Sequence, residues 1–78
     1  MHRFDNMAFT KSCLDEANAP LMASHLTRKA IDEGAHGDIA HIQSNIRKAL
    51  ECYASMSEYK RIRVEGVKGY QYVKKVSV

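Results

Sequence analysis

The longest regular pattern of apolar positions lies in the middle of the chain, between Asp38 and Ala54. Its apolar side chains recur every three or four residues, the spacing of one face of an α-helix. Asp38 follows Gly37, and its carboxylate is expected to accept hydrogen bonds from the free amide groups of the first turn. We therefore predict a helix over Asp38–Ala54. Its apolar stripe is Ile39, Ile42, Ile46, Ala49, Leu50 and Tyr53.

A first helix is predicted from about Met7 to Asn18, capped by Asn6 or Asp5. Pro20 ends it, because proline cannot continue a helix and forces the preceding residue out of the helical conformation. The following link, with Leu21 directed toward the core, can serve as a short first strand. The apolar stripe of this helix is Phe9, Cys13, Leu14 and Ala17.

A second helix is predicted from about Ala23 to Glu33. Gly34 suits the left-handed residue that often follows a helix end. The turn from Gly34 to Gly37 is short, and two helices joined this closely form a helix-turn-helix arrangement. The inner stripe of the second helix is Leu26, Ala30 and Ile31.

The apolar period changes from 3.6 to 2 at Tyr59, which indicates β-structure. The first strand, Tyr59–Val64, is expected to direct Ile62 and Val64 toward the core and its arginines outward. The second strand, Tyr70–Val76, is rich in residues that favour β-structure, and Tyr70 and Tyr72 are expected to face the core. A loop of four or five residues joins the strands into a hairpin over residues 59–76.

These elements predict an α+β fold, a three-helix bundle with a C-terminal β-hairpin. The 78 residues suit a single domain over 1–78, with a frayed start at 1–5. The chain has no apolar run near the ~20 residues of a membrane span. Its start lacks the long apolar segment of a secretory signal. We therefore expect a cytoplasmic protein without a membrane partner.

Positive charge is concentrated toward the C-terminal end. Residues 1–45 carry a net charge of −2, and residues 46–78 carry eight basic against three acidic side chains, a net charge of +5. A domain with one basic end is a candidate for a polyanionic partner.

Cys13 and Cys52 are the two cysteines, and each lies in an apolar helical pattern. We expect two buried free thiols, and a single disulfide is the alternative. No metal site is predicted, because His36 and His41 have no carboxylate or cysteine at zinc-site spacing. No nucleophile elbow or phosphate-binding glycine loop is present. We therefore expect no enzyme activity and no cofactor.

Three stretches of the chain carry a family resemblance: LDEANAPL at 14–21, LTRKAIDEG at 26–34 and RIRVEGVKGY at 61–70. Residues 14–21 are similar to the end of helix one and the entry to helix two in that family. Residues 26–34 are similar to its helix two with the terminal glycine, and residues 61–70 are similar to its hairpin wing. Together they resemble the winged helix-turn-helix family of DNA-binding domains over nearly the whole chain. The branch of the family stays open, and the HARE-type branch is one candidate.

The resemblance implies that the third helix lies in the major groove of double-stranded DNA while the wing touches the backbone or minor groove. Glu51, on the outer face of this helix, would repel a nearby phosphate. The implied helix contacts are His41, Ser44, Asn45, Arg47 and Lys48. The implied wing contacts are Arg61, Arg63 and Lys68. From the second helix, Thr27 and Arg28 are expected to meet the backbone.

Two functions remain in competition at this point. The first is a DNA-binding module, a small transcriptional regulator, for which a homodimer on a palindromic site stays open. The other is a winged helix that binds another protein and no DNA. It predicts an exposed apolar patch around Met7, Met22, Met56 or Val67.

Overall fold

Three helices and a three-stranded antiparallel sheet make up residues 4–75, the part of the chain that the computed structural model describes. The helices are α1 (Asn6–Glu16), α2 (Ala23–Asp32) and α3 (Ile39–Ala54). The strands are β1 (Leu21–Met22), β2 (Tyr59–Ile62) and β3 (Gln71–Lys74). The α+β class and the order of elements predicted from the sequence are confirmed. Val76, the predicted end of the last strand, lies outside the described residues.

The start of α1 is ordered by a cap and an aromatic contact. The carboxylate of Asp5 accepts a hydrogen bond of 3.0 Å from the amide of Ala8. The Phe4 and Phe9 rings contact each other with centroids 5.2 Å apart. Phe4 and Asp5, within the start predicted to fray, thus make contacts with α1, and residues 1–3 lie outside the described part. The helix ends at Glu16, two residues earlier than predicted.

The turn between α2 and α3 follows the geometry expected of a glycine-terminated helix. Gly34 has φ 108°, which is strained for any residue with a side chain. Its amide donates to the Ile31 carbonyl at 3.1 Å, and the next amide, of Ala35, donates to Ala30 at 2.9 Å. These two bonds satisfy free carbonyl groups at the end of α2. The predicted left-handed conformation of Gly34 is confirmed, and α2 ends at Asp32, one residue before the predicted Glu33.

Asp38 precedes α3 as predicted, but it caps the helix through its backbone alone. Its carbonyl accepts from the amide of Ile42 at 2.9 Å, whereas its side chain makes no capping hydrogen bond. The expectation of a carboxylate cap is therefore wrong. The helix itself ends at Ala54, as the apolar pattern predicted.

The core receives residues from all three helices and from the two longer strands. Most predicted stripe positions are buried. The exceptions are Ala17, which is half-buried at the end of α1, and Ile31 and Ile39, which lie beside the exposed turn between α2 and α3. Ile39 is 62% exposed, because it occupies the first position of α3, where the helix emerges from that turn. The buried core residues are Phe9, Cys13, Leu14, Leu26, Ala30, Ile42, Ile46, Leu50, Tyr53, Tyr59 and Tyr72.

The sheet ties the C-terminal hairpin to the chain just before α2. Its strand order is β1-β3-β2, with both pairings antiparallel. In β1, Leu21 pairs with Tyr72 and Met22 pairs with Gln71. The short link after Pro20 is therefore a strand, as predicted, and Leu21 packs against the core.

The first strand of the hairpin, β2, presents the opposite face to the helices from the one predicted. Arg61 pairs with Tyr72 across the sheet, and residues directly opposite each other share a face. Tyr72 and Tyr59 are buried, so Arg61 lies on the face toward the helices. Ile62 lies on the other face, and Val64 is exposed beyond the end of β2. The predicted inward direction of Ile62 and Val64 is therefore wrong.

The hairpin loop covers residues 63–70 and is longer than the four or five residues predicted. β2 ends at Ile62 and not at Val64, and β3 begins at Gln71 and not at Tyr70. Tyr70 consequently belongs to the loop and is 43% exposed, which contradicts its predicted place in the core. Tyr72 is buried, as predicted.

The two cysteines differ in their surroundings and are both free thiols. Cys13 is buried in α1, and this burial raises the pKa of its thiol. Cys52 is exposed, and its predicted burial is wrong. It neighbours the buried Tyr53 on α3, and adjacent helical residues are rotated by about 100° from each other.

Candidate nucleic-acid interface

A groove of about 650 Å³ lies between α3, the start of α2 and the hairpin. Three basic side chains line it: Arg47 from α3, Arg61 from β2 and Lys68 from the hairpin loop. We call it the basic groove. The remaining lining residues are Met22, Ala23, Ser24, Gln43, Glu51, Gly69, Tyr70 and Tyr72.

One face of α3 forms a wall of the basic groove. Gln43, Arg47 and Glu51 follow each other at intervals of four residues, which places them on the same side of the helix. An amide, a guanidinium and a carboxylate therefore stand in one row. Arg47 is exposed, so its charge is accessible from the groove.

Tyr70 supplies an aromatic surface to the groove. The guanidinium carbon of Arg61 lies 4.3 Å from the centroid of its ring, and that of Arg63 lies 5.9 Å away. Both distances are in the range of cation–π attraction. One arginine from β2 and one from the hairpin loop therefore lie beside the ring of Tyr70.

Glu51 connects α3 to both strands of the hairpin. Its Oε1 lies 2.6 Å from Nη1 of Arg61 in β2, and its Oε2 accepts a hydrogen bond from the hydroxyl of Tyr72 in β3. The pKa of the Tyr72 hydroxyl is raised to about 12, chiefly because Tyr72 is buried and secondly because of this hydrogen bond. The negative charge that was expected to repel phosphate is therefore engaged with two groups of the hairpin.

A second carboxylate joins α1 to the sheet. Asp15 accepts from Nζ of Lys11 at 2.6 Å and from the hydroxyl of Tyr59 at 2.7 Å. Nζ of Lys74 lies 3.5 Å from the same carboxylate. The pKa of Asp15 is lowered to about 2, chiefly by the hydrogen bond from Lys11 and secondly by the hydrogen bond from Tyr59. The two carboxylates together fix the hairpin against α1 and α3.

The structure brings three of the ten sequence-predicted contact residues into the basic groove: Arg47, Arg61 and Lys68. Arg63 lies beside the groove through its approach to Tyr70. The other predicted residues of α3 do not line it. His41 and Lys48 are exposed there, and Ser44 and Asn45 are half-buried.

Thr27 does not fit its predicted role on the outer side of α2. It is 3% exposed, and its hydroxyl donates to the carbonyl of Ala23 at 2.8 Å. A side chain in the core with a satisfied hydroxyl cannot meet a DNA backbone, so this prediction is wrong. Arg28, the next residue, is exposed, but it does not line the basic groove.

Sequence reasoning missed Gln43 and Tyr70 as members of the site. The signal for Gln43 was its spacing of four residues from Arg47 and of eight from Glu51, which puts all three on one helix face. Tyr70 was predicted inside because it opens an apparent strand. No local pattern could have shown that β3 begins one residue later.

The four side chains expected to form an apolar docking patch lie in different surroundings. Met22 is half-buried and lines the basic groove. Met56 is exposed in a separate depression with Lys60 and Lys75. Met7 is exposed on α1, and Val67 is half-buried in the hairpin loop.

Within residues 4–75, no three histidine, cysteine, aspartate or glutamate side chains are grouped so that they could hold a metal ion. No helix in the same part of the chain has the length and apolar character needed to cross a membrane.

Comparison with known proteins adds no relative to this picture. The chain matches no protein-family model, and it matches no curated protein and no solved structure.

Proposed function

We propose that this chain is a winged helix-turn-helix domain that binds double-stranded DNA and acts as a small transcriptional regulator. The observation that carries the proposal is the convergence of Arg47, Arg61 and Lys68 on one groove between α3 and the hairpin. In this proposal α3 enters the major groove, and the hairpin is the wing that lies along the backbone.

The architecture supports this placement. The order of elements is three helices followed by a hairpin, and α2 and α3 are joined by the short turn of a helix-turn-helix unit. The hairpin is joined to α3 through Glu51, which contacts Arg61 in β2 and Tyr72 in β3.

The charges support a phosphate-bearing partner. The groove carries three basic side chains against the single carboxylate of Glu51, which is already paired with Arg61. Arginine and lysine bind phosphate oxygens without regard to base sequence. Gln43 and Arg47, on one face of α3, have the amide and guanidinium groups that pair with adenine and guanine edges in a major groove.

The test is a fluorescence-anisotropy titration of labelled random-sequence duplex at low salt. Arg47→Ala and Lys68→Ala should each weaken binding several-fold. Lys29→Ala is the matched control, because this exposed lysine on α2 lies outside the basic groove, and it should leave the affinity unchanged. Arg61 is not used here, since its removal also breaks the ion pair with Glu51.

Lys48→Ala tests whether DNA contacts the neighbouring face of α3 as well as the basic groove. Lys48 is the neighbour of Arg47, and the two side chains point about 100° apart around the helix. Equal losses in both variants would place the duplex across the outer face of α3. Absence of binding by the unmodified protein, even at low salt, would contradict the proposal and direct the search to a protein partner.

A further inference from the structure

The basic groove has the composition of a nucleotide site. Its volume of about 650 Å³ falls within the range of pockets that hold small organic molecules, roughly 300–1,000 Å³, and exceeds the need of one phosphate group. Carbon-rich walls come from Met22, Ala23 and the tyrosine rings. Charge comes from Arg47 and Lys68. A base with its phosphate presents the same pairing of a flat apolar ring and an anion.

Tyr70 is the feature that distinguishes a base from a simple anion. Tyr70 is 43% exposed and lines the groove, and a tyrosine ring offers a flat apolar surface. Arg61 and Arg63 flank this ring. Nucleobases stack on aromatic side chains and on guanidinium planes, and this part of the groove contains both kinds of group.

The start of α2 adds a further favourable contact for a phosphate. Ala23 and Ser24 line the groove at the first turn, and the N-cap residue Met22 provides no side-chain hydrogen bond. The first amide groups of a helix carry partial positive charge and bind anions readily. This contact strengthens the argument from the side chains, which stands without it.

The faces of a base that is paired and stacked in a duplex are covered by the neighbouring bases, so only an unpaired base can stack on Tyr70. We propose that the basic groove binds one unpaired nucleotide of DNA, with its base against Tyr70 and its phosphate near Arg47 and Lys68. The preferred target is then a duplex that carries a single-stranded extension. This inference rests on the proposed binding of duplex DNA and names the form of DNA that fits the same site.

The experiment compares three labelled DNAs by anisotropy at one salt concentration: a blunt duplex, the same duplex with a short single-stranded overhang, and the overhang strand alone. Stacking of one base on an aromatic side chain predicts about tenfold tighter binding of the overhang duplex than of the blunt duplex. Tyr70→Ala should remove this preference, because it should weaken binding of the overhang duplex about tenfold more than binding of the blunt duplex. Tyr70→Phe keeps the ring and should keep the preference.

Thermal unfolding of each variant establishes that the fold is retained. Equal affinity of the unmodified protein for blunt and overhang duplexes would overturn the inference while leaving the binding of duplex DNA intact. The same holds if Tyr70→Ala weakens both complexes equally. Failure to bind the blunt duplex at all would instead overturn the proposed function.

Discussion

The carboxylate of Glu51 on α3 and the guanidinium of Arg61 on β2 form an ion pair with a separation of 2.6 Å. The same carboxylate accepts the hydroxyl of Tyr72 from the neighbouring strand. One acidic side chain thus holds both strands of the hairpin on the helix that is proposed to enter DNA. It also places a negative charge among the cations proposed to bind phosphate, so its removal should have opposite effects on folding and on binding.

Glu51→Gln keeps the size of the side chain and removes its charge. We expect the free energy of unfolding to fall by at most about 1 kcal/mol, because both partners of the ion pair are more than one third exposed. We expect the affinity for duplex DNA to rise a few-fold, because Arg61 is released and a repulsive charge is lost. Urea unfolding and anisotropy measure the two effects.

Glu58→Gln is the matched control for this change, since Glu58 is an exposed carboxylate on the turn before β2. It should change DNA affinity less than Glu51→Gln does. Weaker DNA binding by the Glu51→Gln variant would show that the carboxylate positions the hairpin more than it repels phosphate.

The contacts of Asp15 predict a loss of stability in acid. The folded-state pKa of Asp15 is about 2, below its ordinary value of 3.8. Its hydrogen bonds with Lys11 and Tyr59 therefore stabilise the fold fully above pH ~4, and this contribution is lost as the pH falls toward 2. In Asp15→Asn, the free energy of unfolding should decrease less over this interval than in the unmodified protein.

Urea unfolding at several pH values between about 6 and 2 measures this difference. Asp32→Asn, an exposed change on α2, is the control and should follow the unmodified protein. If Asp15→Asn loses as much stability as the unmodified protein over the same interval, the hydrogen bonds of Asp15 do not contribute to the fold.

Tyr72 predicts a separate effect in alkali. Its pKa is raised from 10 to about 12, so its contribution to stability is complete below pH ~10 and is lost as the pH rises through about 12. A titration followed by the ultraviolet absorbance of ionised tyrosine should show a step near pH 12. Tyr72→Phe should lack this step, whereas Tyr70→Phe, a change at an exposed ring, should retain it. Persistence of the step in Tyr72→Phe would assign it to another tyrosine.

A substitution of Thr27 tests whether this side chain stabilises the core or contacts DNA. Thr27→Val removes a buried hydroxyl that is bonded to the Ala23 carbonyl, and should lower the free energy of unfolding by about 1 kcal/mol. It should leave DNA affinity unchanged, since the side chain has no access to a ligand. A loss of DNA affinity with unchanged stability would show instead that Thr27 contacts DNA. Arg28→Ala, at the exposed neighbouring position, measures any contact of α2 with the DNA backbone.

The helices could be predicted because their signals are local. The apolar period of α3, the break at Pro20 and the glycine after α2 each depend on a few neighbouring residues. Gly34 illustrates this, since its positive φ is a property of one residue and its two flanking hydrogen bonds. The element order and the α+β class follow from such signals.

The face that β2 presents to the helices could not be predicted, because it depends on distant partners. In β2, Tyr59 and Arg61 lie on one face, and Lys60 and Ile62 lie on the other. Either pair can be directed toward the core, and a shift of one residue in the pairing reverses which pair it is. The aliphatic side chain of Ile62 suggested one face. The hydroxyl of Tyr59 reaches Asp15 and the guanidinium of Arg61 reaches Glu51, and both carboxylates lie on other elements. The direction of Arg61 decides which side chains line the basic groove, so these lining residues could not be predicted from the sequence either.

The salt dependence of binding tests the central claim most directly. If the basic groove holds DNA phosphates, the logarithm of the binding constant should fall linearly with the logarithm of salt concentration, by about 0.9 per neutralised phosphate. The double variant Arg47→Ala, Lys68→Ala should reduce the magnitude of this slope by about 2, and Lys29→Ala should leave it unchanged. A flat salt response of the unmodified protein, or an equal reduction by Lys29→Ala, would contradict the account.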